Sequence, residues 1–400
     1  MKESLYLKGS IKGNIREHRT VNCGEGIKIY IKYCGGVLSE MKKEMNKEMT
    51  ILKAVGIIAV VIGHKYDPFT WYPTYSYHIV LFIFASGYFY NQNNEDNIII
   101  FFIKKIKTLL IPYFIYNLFY AAVTYVLYKK NNILLGELPT LYNFFLSPFL
   151  HGHQYHLFLA GWFVVELFII QISFILLFKM IKKINKSYLF SFSVFMCLAL
   201  IGLRFAKSGI HSEYELVADR TLFGLFFYYL GFWYKNKLDD VQLIKSKYII
   251  GSVILQIILI IKYKDVSYAL SWCDFGGRLF LPIIASINGI YLCIVISKLI
   301  TRYIEENDIL LSIGENSFHI MANHLFVFLI MNFIIVKVKA IDHNVLNSVW
   351  YAYRLEKYWL VYVMAGILIP TYIAVFAKKS RIRLYETFKV KKSRIKNLNS

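Results

Sequence analysis

The sequence predicts an all-α, polytopic integral membrane bundle of about ten transmembrane helices with both termini cytoplasmic. Three observations carry this. Hydrophobic residues make up 57% of the 400 positions and charged ones only 18%, against about a quarter charged in a typical soluble domain. The apolar residues gather into ten runs, at roughly 51–65, 77–91, 108–128, 159–180, 188–206, 220–235, 247–262, 278–299, 316–336 and 358–378. Lys and Arg collect in alternate connectors, the pattern of short loops retained on the inner face of a membrane.

Taken in order, residues 1–48 form a polar, basic extension without the short apolar core and small-residue cleavage site of a secretory signal. Met41, Met45 and Met49 stand just ahead of the first run, so translation is expected to start downstream of Met1 and residues 1–40 to have little fixed structure. Residues 49–380 hold all ten runs as one membrane domain. Lys42/Lys43/Lys47, Lys104/Lys105/Lys107, Lys179/Lys182/Lys183/Lys186, Lys235/Lys237/Lys245/Lys247 and Lys298/Arg302 fall on one side of it, together with the basic tail 381–400. That tail is read as topogenic charge resting on anionic membrane lipid. The net charge of +21 therefore has a topological origin. It does not point to nucleic acid, whose readers are not built from apolar runs of this kind. Cys23, Cys34, Cys197, Cys273 and Cys293 are scattered without a CxxC or Cys/His spacing, so neither a disulfide framework nor a metal site is expected.

The first run carries the sharpest chemical signal. Lys53 and His64 bracket an uncharged stretch; eleven helical positions turn through about 1,100°, so both lie on one face, about 16 Å apart along the axis. Ionisable groups within a membrane segment mark a pathway or a reacting centre. An imidazole titrating near neutrality can take a proton from a hydroxyl and return it to a leaving group, which makes His64 the candidate base; the competing reading is a histidine hydrogen-bonded between helices. His78 opens the second run at the same outer level. Asp67, just beyond His64, either orients its ring or is a solvated loop residue.

Lys104 and Lys107 precede Pro112 at the inner start of the third run. Closely spaced cations there suit the phosphates of a ligand arriving from the cytoplasm, or are only topogenic. His151, His153 and His156 cluster in an outer connector without an interleaved carboxylate or cysteine, so lining the outer mouth of a site is favoured over metal binding. Glu166, one turn after Trp162, is costly in a membrane unless paired, and is expected to meet His64 or a bound hydroxyl. Arg220 and His324 are further intramembrane polar groups, for which interhelical hydrogen bonding stands beside a direct role in the site.

Five stretches together resemble the acyltransferase 3 family of membrane O-acyltransferases. Lys53-x10-His64 is similar to its Arg-x10-His motif. Tyr77-His78-Ile-Val-Leu-Phe-Ile-Phe-Ala-Ser86-Gly87-Tyr88 resembles its FHMPLFFFLSGY signature, without the proline. Lys104-x-x-Lys107 stands where the family often has Arg-x-x-Arg, and Trp162-Phe-Val-Val-Glu166 resembles its fourth-helix motif. Ile313-Gly-Glu-Asn-Ser317 through His324 is similar to its GKNSLYIYLLH segment. Both arginine motifs carry lysine here, a change of donor geometry from fork to point charge.

The resemblance implies transfer of an acyl group, acetyl in this reading, from acyl-CoA as co-substrate to a hydroxyl of a carbohydrate. The acceptor would be a surface polysaccharide, a cell-wall glycan or a lipid-linked glycan at the cell membrane. It assigns His64, His78 and Glu166 to catalysis and Lys53, Lys104 and Lys107 to the donor, with separate polysaccharide-assembly proteins as possible partners. The alternative from another class is a transporter or flippase for a lipid-linked sugar, which should show internal repeats with broken helices; no self-similarity between the halves is evident. A membrane glycan polymerase would need a larger outer loop than 129–158 or 337–357.

Overall fold

The computed structural model describes residues 46–207, 212–239, 244–305 and 308–398, together with three short strands before them. Those strands, His18–Cys23, Ile27–Cys34 and Val37–Leu38, pair antiparallel in chain order. The remainder of the N-terminal extension, where little fixed structure was expected, lies outside the described residues.

From Glu48 onward the chain forms one unit, and helices occupy all ten positions predicted from the apolar runs. They are α1 (Lys47–Gly63), α2 (His78–Tyr88), α3 (Ile98–Lys105), α4 (Ile111–Asn131), the short α5 (Leu141–Phe145), α6 (Trp162–Ile184), α7 (Tyr188–Ala206), α8 (Glu213–Lys237), α9 (Ser246–Tyr263), α10 (Leu281–Thr301), the short α11 (Ile309–Glu315), α12 (Ser317–Lys339) and α13 (Leu355–Leu398). Among the described residues six spans are both long and apolar enough to cross a membrane: His156–Ile184, Tyr188–Ala206, Ser246–Tyr263, Leu281–Thr301, Ser317–Lys339 and Leu355–Arg381. The other predicted positions differ for physical reasons. α2 has 11 residues. α8 begins with Glu213, Glu215, Asp219 and Arg220, and its N-terminus is closed by a capping box between Ser212 and Glu215.

The third run is not a simple helix. α3 passes into α4 through a π turn, Ile106–Leu110, in which the N–H of Ile111 reaches the carbonyl of Ile106. Pro112 has no N–H to give to the carbonyl of Thr108, and the wider turn accommodates that loss.

Packing between helices is aromatic and, between α2 and α8, very close. Phe174 of α6 lies 4.6 Å from Tyr228 and 5.2 Å from Phe195, centroid to centroid, within the range of favourable ring pairs. α2 and α8 approach until Gly87 faces the carbonyl of Tyr228 and Gly231 faces the carbonyl of Phe84; a Cβ at either position would overlap backbone. Small residues are what permits such contact between membrane helices. Two buried clusters result, one centred on α2, α6, α7, α8 and α10, the other on α1, α4, α12 and α13, and α6 contributes to both.

Candidate active site

A cavity of about 490 Å³ is lined by Lys53, His64 and His78, with Ile57 and Val60 on the face of α1 between the first two. Its volume lies in the range of small-molecule sites. Three of the residues singled out from the sequence therefore share one space. Ser86 of α2, Phe89 just after it, Leu109 of the π turn and Ser317 and Phe318 of α12 also line it, as do Trp162, the turn Tyr268–Trp272, and Trp350.

The histidines are held in a common manner. Nδ1 of His64 donates to the carbonyl of Val60 at 2.8 Å, and Nδ1 of His78 to that of Thr74 at 2.6 Å. A carbonyl only accepts, so each ring carries its proton on Nδ1 and leaves Nε2 as the basic nitrogen. His324 repeats the pattern with the carbonyl of Ile320 at 3.0 Å, and its ring lies 4.9 Å from that of His64. The ring of Trp350 lies nearly parallel to that of His64, 6.2 Å away.

Two devices fix these rings. The carboxylate of Asp67 accepts from the N–H and the hydroxyl of Thr74, at 2.7 and 2.8 Å. Asp67 thus holds the residue whose carbonyl holds His78, instead of orienting His64. The Lys65 ammonium donates to the carbonyls of Val349 and Tyr351, at 3.2 and 2.9 Å, on either side of Trp350. It also sits over the rings of Phe328 and Tyr362.

Glu166 lies elsewhere. It is buried, accepts from the hydroxyl of Thr221 at 2.8 Å and interacts electrostatically with Arg220; it is not among the cavity-lining residues. Arg220 lies 4.6 Å from the ring centre of Trp162 and donates to the carbonyls of His151 and Ser271. Glu166 reaches the cavity wall through this chain of contacts. Lys104 and Lys107 are exposed and do not line the cavity, although Leu109, two residues on, does. Lys53 finds an opposite charge in Glu315.

A second cavity, of about 790 Å³, adjoins the first at the histidine end. The two share His153, Leu159, Trp272 and Trp350. Glu137, His151, His156, Ser212 and Glu213, with Leu216 and Val349, complete the second. Burial, and then the nearby Arg220, push His153 down to about 3. Among the described residues no group of three or more His, Cys, Asp or Glu is gathered as for a metal ion. Trp350 and the Tyr268–Trp272 turn were not singled out from the sequence: each sits in a connector, and nothing in its local spacing says that the connector folds back onto the bundle.

A family model described as an acyltransferase domain matches residues 46–377. The chain belongs to the acyltransferase 3 family. It is a membrane acyltransferase, and the match spans every helix that lines the two cavities. No curated protein and no solved structure matches the chain.

Proposed function

We propose that this acyltransferase moves an acetyl group from acyl-CoA, entering at the Lys53 end of the cavity, to a carbohydrate hydroxyl presented at the histidine end. The observation that supports this reading best is the continuous lining from Lys53 to His64 and His78, joined through four shared residues to a second, more polar chamber. In the orientation set by the basic connectors, the first end faces the cytoplasm and the second the outside. Lys104 and Lys107 would meet the donor's phosphates at the surface while its thioester arm follows α1 for about 16 Å.

The acceptor oxygen attacks the thioester carbonyl as its proton passes to Nε2 of His64. The C–O bond forms, the C–S bond breaks, and the imidazolium returns the proton to the thiolate, releasing the free thiol. Holding both reactants in one chamber supplies much of the advantage, since it converts an encounter into an intramolecular step.

His64→Ala should abolish acetyl transfer from radiolabelled acetyl-CoA to glycan while membrane insertion and yield persist. Labelled product at near wild-type rate from that variant would remove His64 from the mechanism.

A further inference from the structure

We infer that the chamber at the histidine end is the acceptor site and that it is built for a neutral or amino-bearing sugar, rejecting anionic glycans. This deepens the reading above and rests on it. Two tryptophans stand at the boundary of the chamber with about half their surface free, Trp272 at 53% and Trp350 at 52% exposure. Broad aromatic faces of this kind are what the apolar C–H face of a pyranose ring packs on. Around them the polar groups carry one sign. Among the described residues Glu137 and Glu213 are the charged ones of the lining, which holds no lysine or arginine.

The imidazoles do not reverse that sign. Nδ1 of His151 accepts from the N–H of His153 at 3.0 Å, which places the ring's proton on Nε2, 3.9 Å from the carboxylate of Glu137. His153 packs its ring 4.1 Å from that of Trp272, and its Nδ1 is buried without a hydrogen-bond partner among the described residues. Arg220, close by, is turned into the bundle toward Trp162 and the carbonyls of His151 and Ser271. Hydroxyls and ammonium groups find acceptors in such a chamber, whereas a carboxylate or phosphate meets like charge, which selects against the wrong partner more than it strengthens the right one.

The test uses the full-length protein in detergent, with a neutral chito-oligosaccharide, its de-N-acetylated cationic counterpart and an oligogalacturonate of equal length. Binding is read by tryptophan fluorescence, with no donor present. The cationic and neutral oligomers should bind about tenfold or more tighter than the anionic one. Glu137→Gln/Glu213→Gln should narrow that gap, and Trp272→Ala should weaken the cationic and neutral oligomers together. Equal binding of the anionic oligomer, an unchanged gap in the double variant, or no saturable binding of any of the three would overturn the assignment. Selective binding without any transfer on adding acetyl-CoA would instead count against the reaction proposed above and leave the chamber's selectivity standing.

Discussion

His64, His78 and His324 each turn Nδ1 back to the carbonyl four residues earlier. In the proposed reaction this contact would fix which nitrogen is basic before substrate arrives. Glu166 shows the opposite case. Its pairing with Thr221 and Arg220 ties α6 to α8 and backs the ring of Trp162, so its effect on the reaction should be indirect. Glu166→Gln keeps the size and the hydrogen bond to Thr221 but removes the charge facing Arg220. It should lower kcat by about tenfold, far less than His64→Ala, while a Glu166→Leu variant, which leaves Arg220 unpaired in the interior, should fold poorly. Equal losses of transfer in Glu166→Gln and His64→Ala, at equal yield, would place Glu166 in the reaction itself. The pairing of Lys53 with His64 on one stripe was legible because helical period alone brings them to one face. The partner of Glu166 was not, because Arg220 and Thr221 lie more than fifty positions away and nothing local marks them.

At the level of elements, the π turn between α3 and α4 decides how Lys104 and Lys107 relate to the cavity. The turn presents Leu109 to the interior while both lysines stay in solvent. In the proposed reaction they would hold the donor by its phosphates without touching the reacting carbonyl. Lys104→Ala/Lys107→Ala should therefore raise KM for acetyl-CoA by about tenfold, leave kcat within about twofold, and lose its effect at high salt, as expected of exposed charge. An unchanged KM would reduce these lysines to topogenic charge. All ten helices were legible from their apolar runs, but the register of the third was shifted by the π turn, and the two connectors that line the site, 264–280 and 340–354, were not. Their placement depends on single long-range contacts, such as those of Lys65 with the carbonyls of Val349 and Tyr351, which leave no periodicity in the sequence.

For the molecule as a whole, the mechanism needs donor and acceptor to arrive from opposite faces. In a cysteine-free background, a single cysteine at Tyr66 should react with a membrane-impermeant maleimide added to intact cells. One at Asn97 or Thr108 should react only after the membrane is opened. The reverse pattern would invert the orientation and with it the two-sided scheme, while leaving the family membership untouched.

Two chambers that meet inside a membrane also raise a matter of insulation. A wet passage from one face to the other would drain the ion gradients of the cell at each turnover. The residues that line both chambers are His153, Leu159, Trp272 and Trp350, and a narrow passage among such side chains would exclude hydrated ions by staying dry. The clamp of Lys65 on either side of Trp350 would then serve as a gasket as well as a scaffold. Trp350→Gly should make proteoliposomes leak protons or potassium in the absence of any substrate, whereas Trp350→Phe should keep them tight. A tight Trp350→Gly vesicle would show that the seal lies at another level of the bundle.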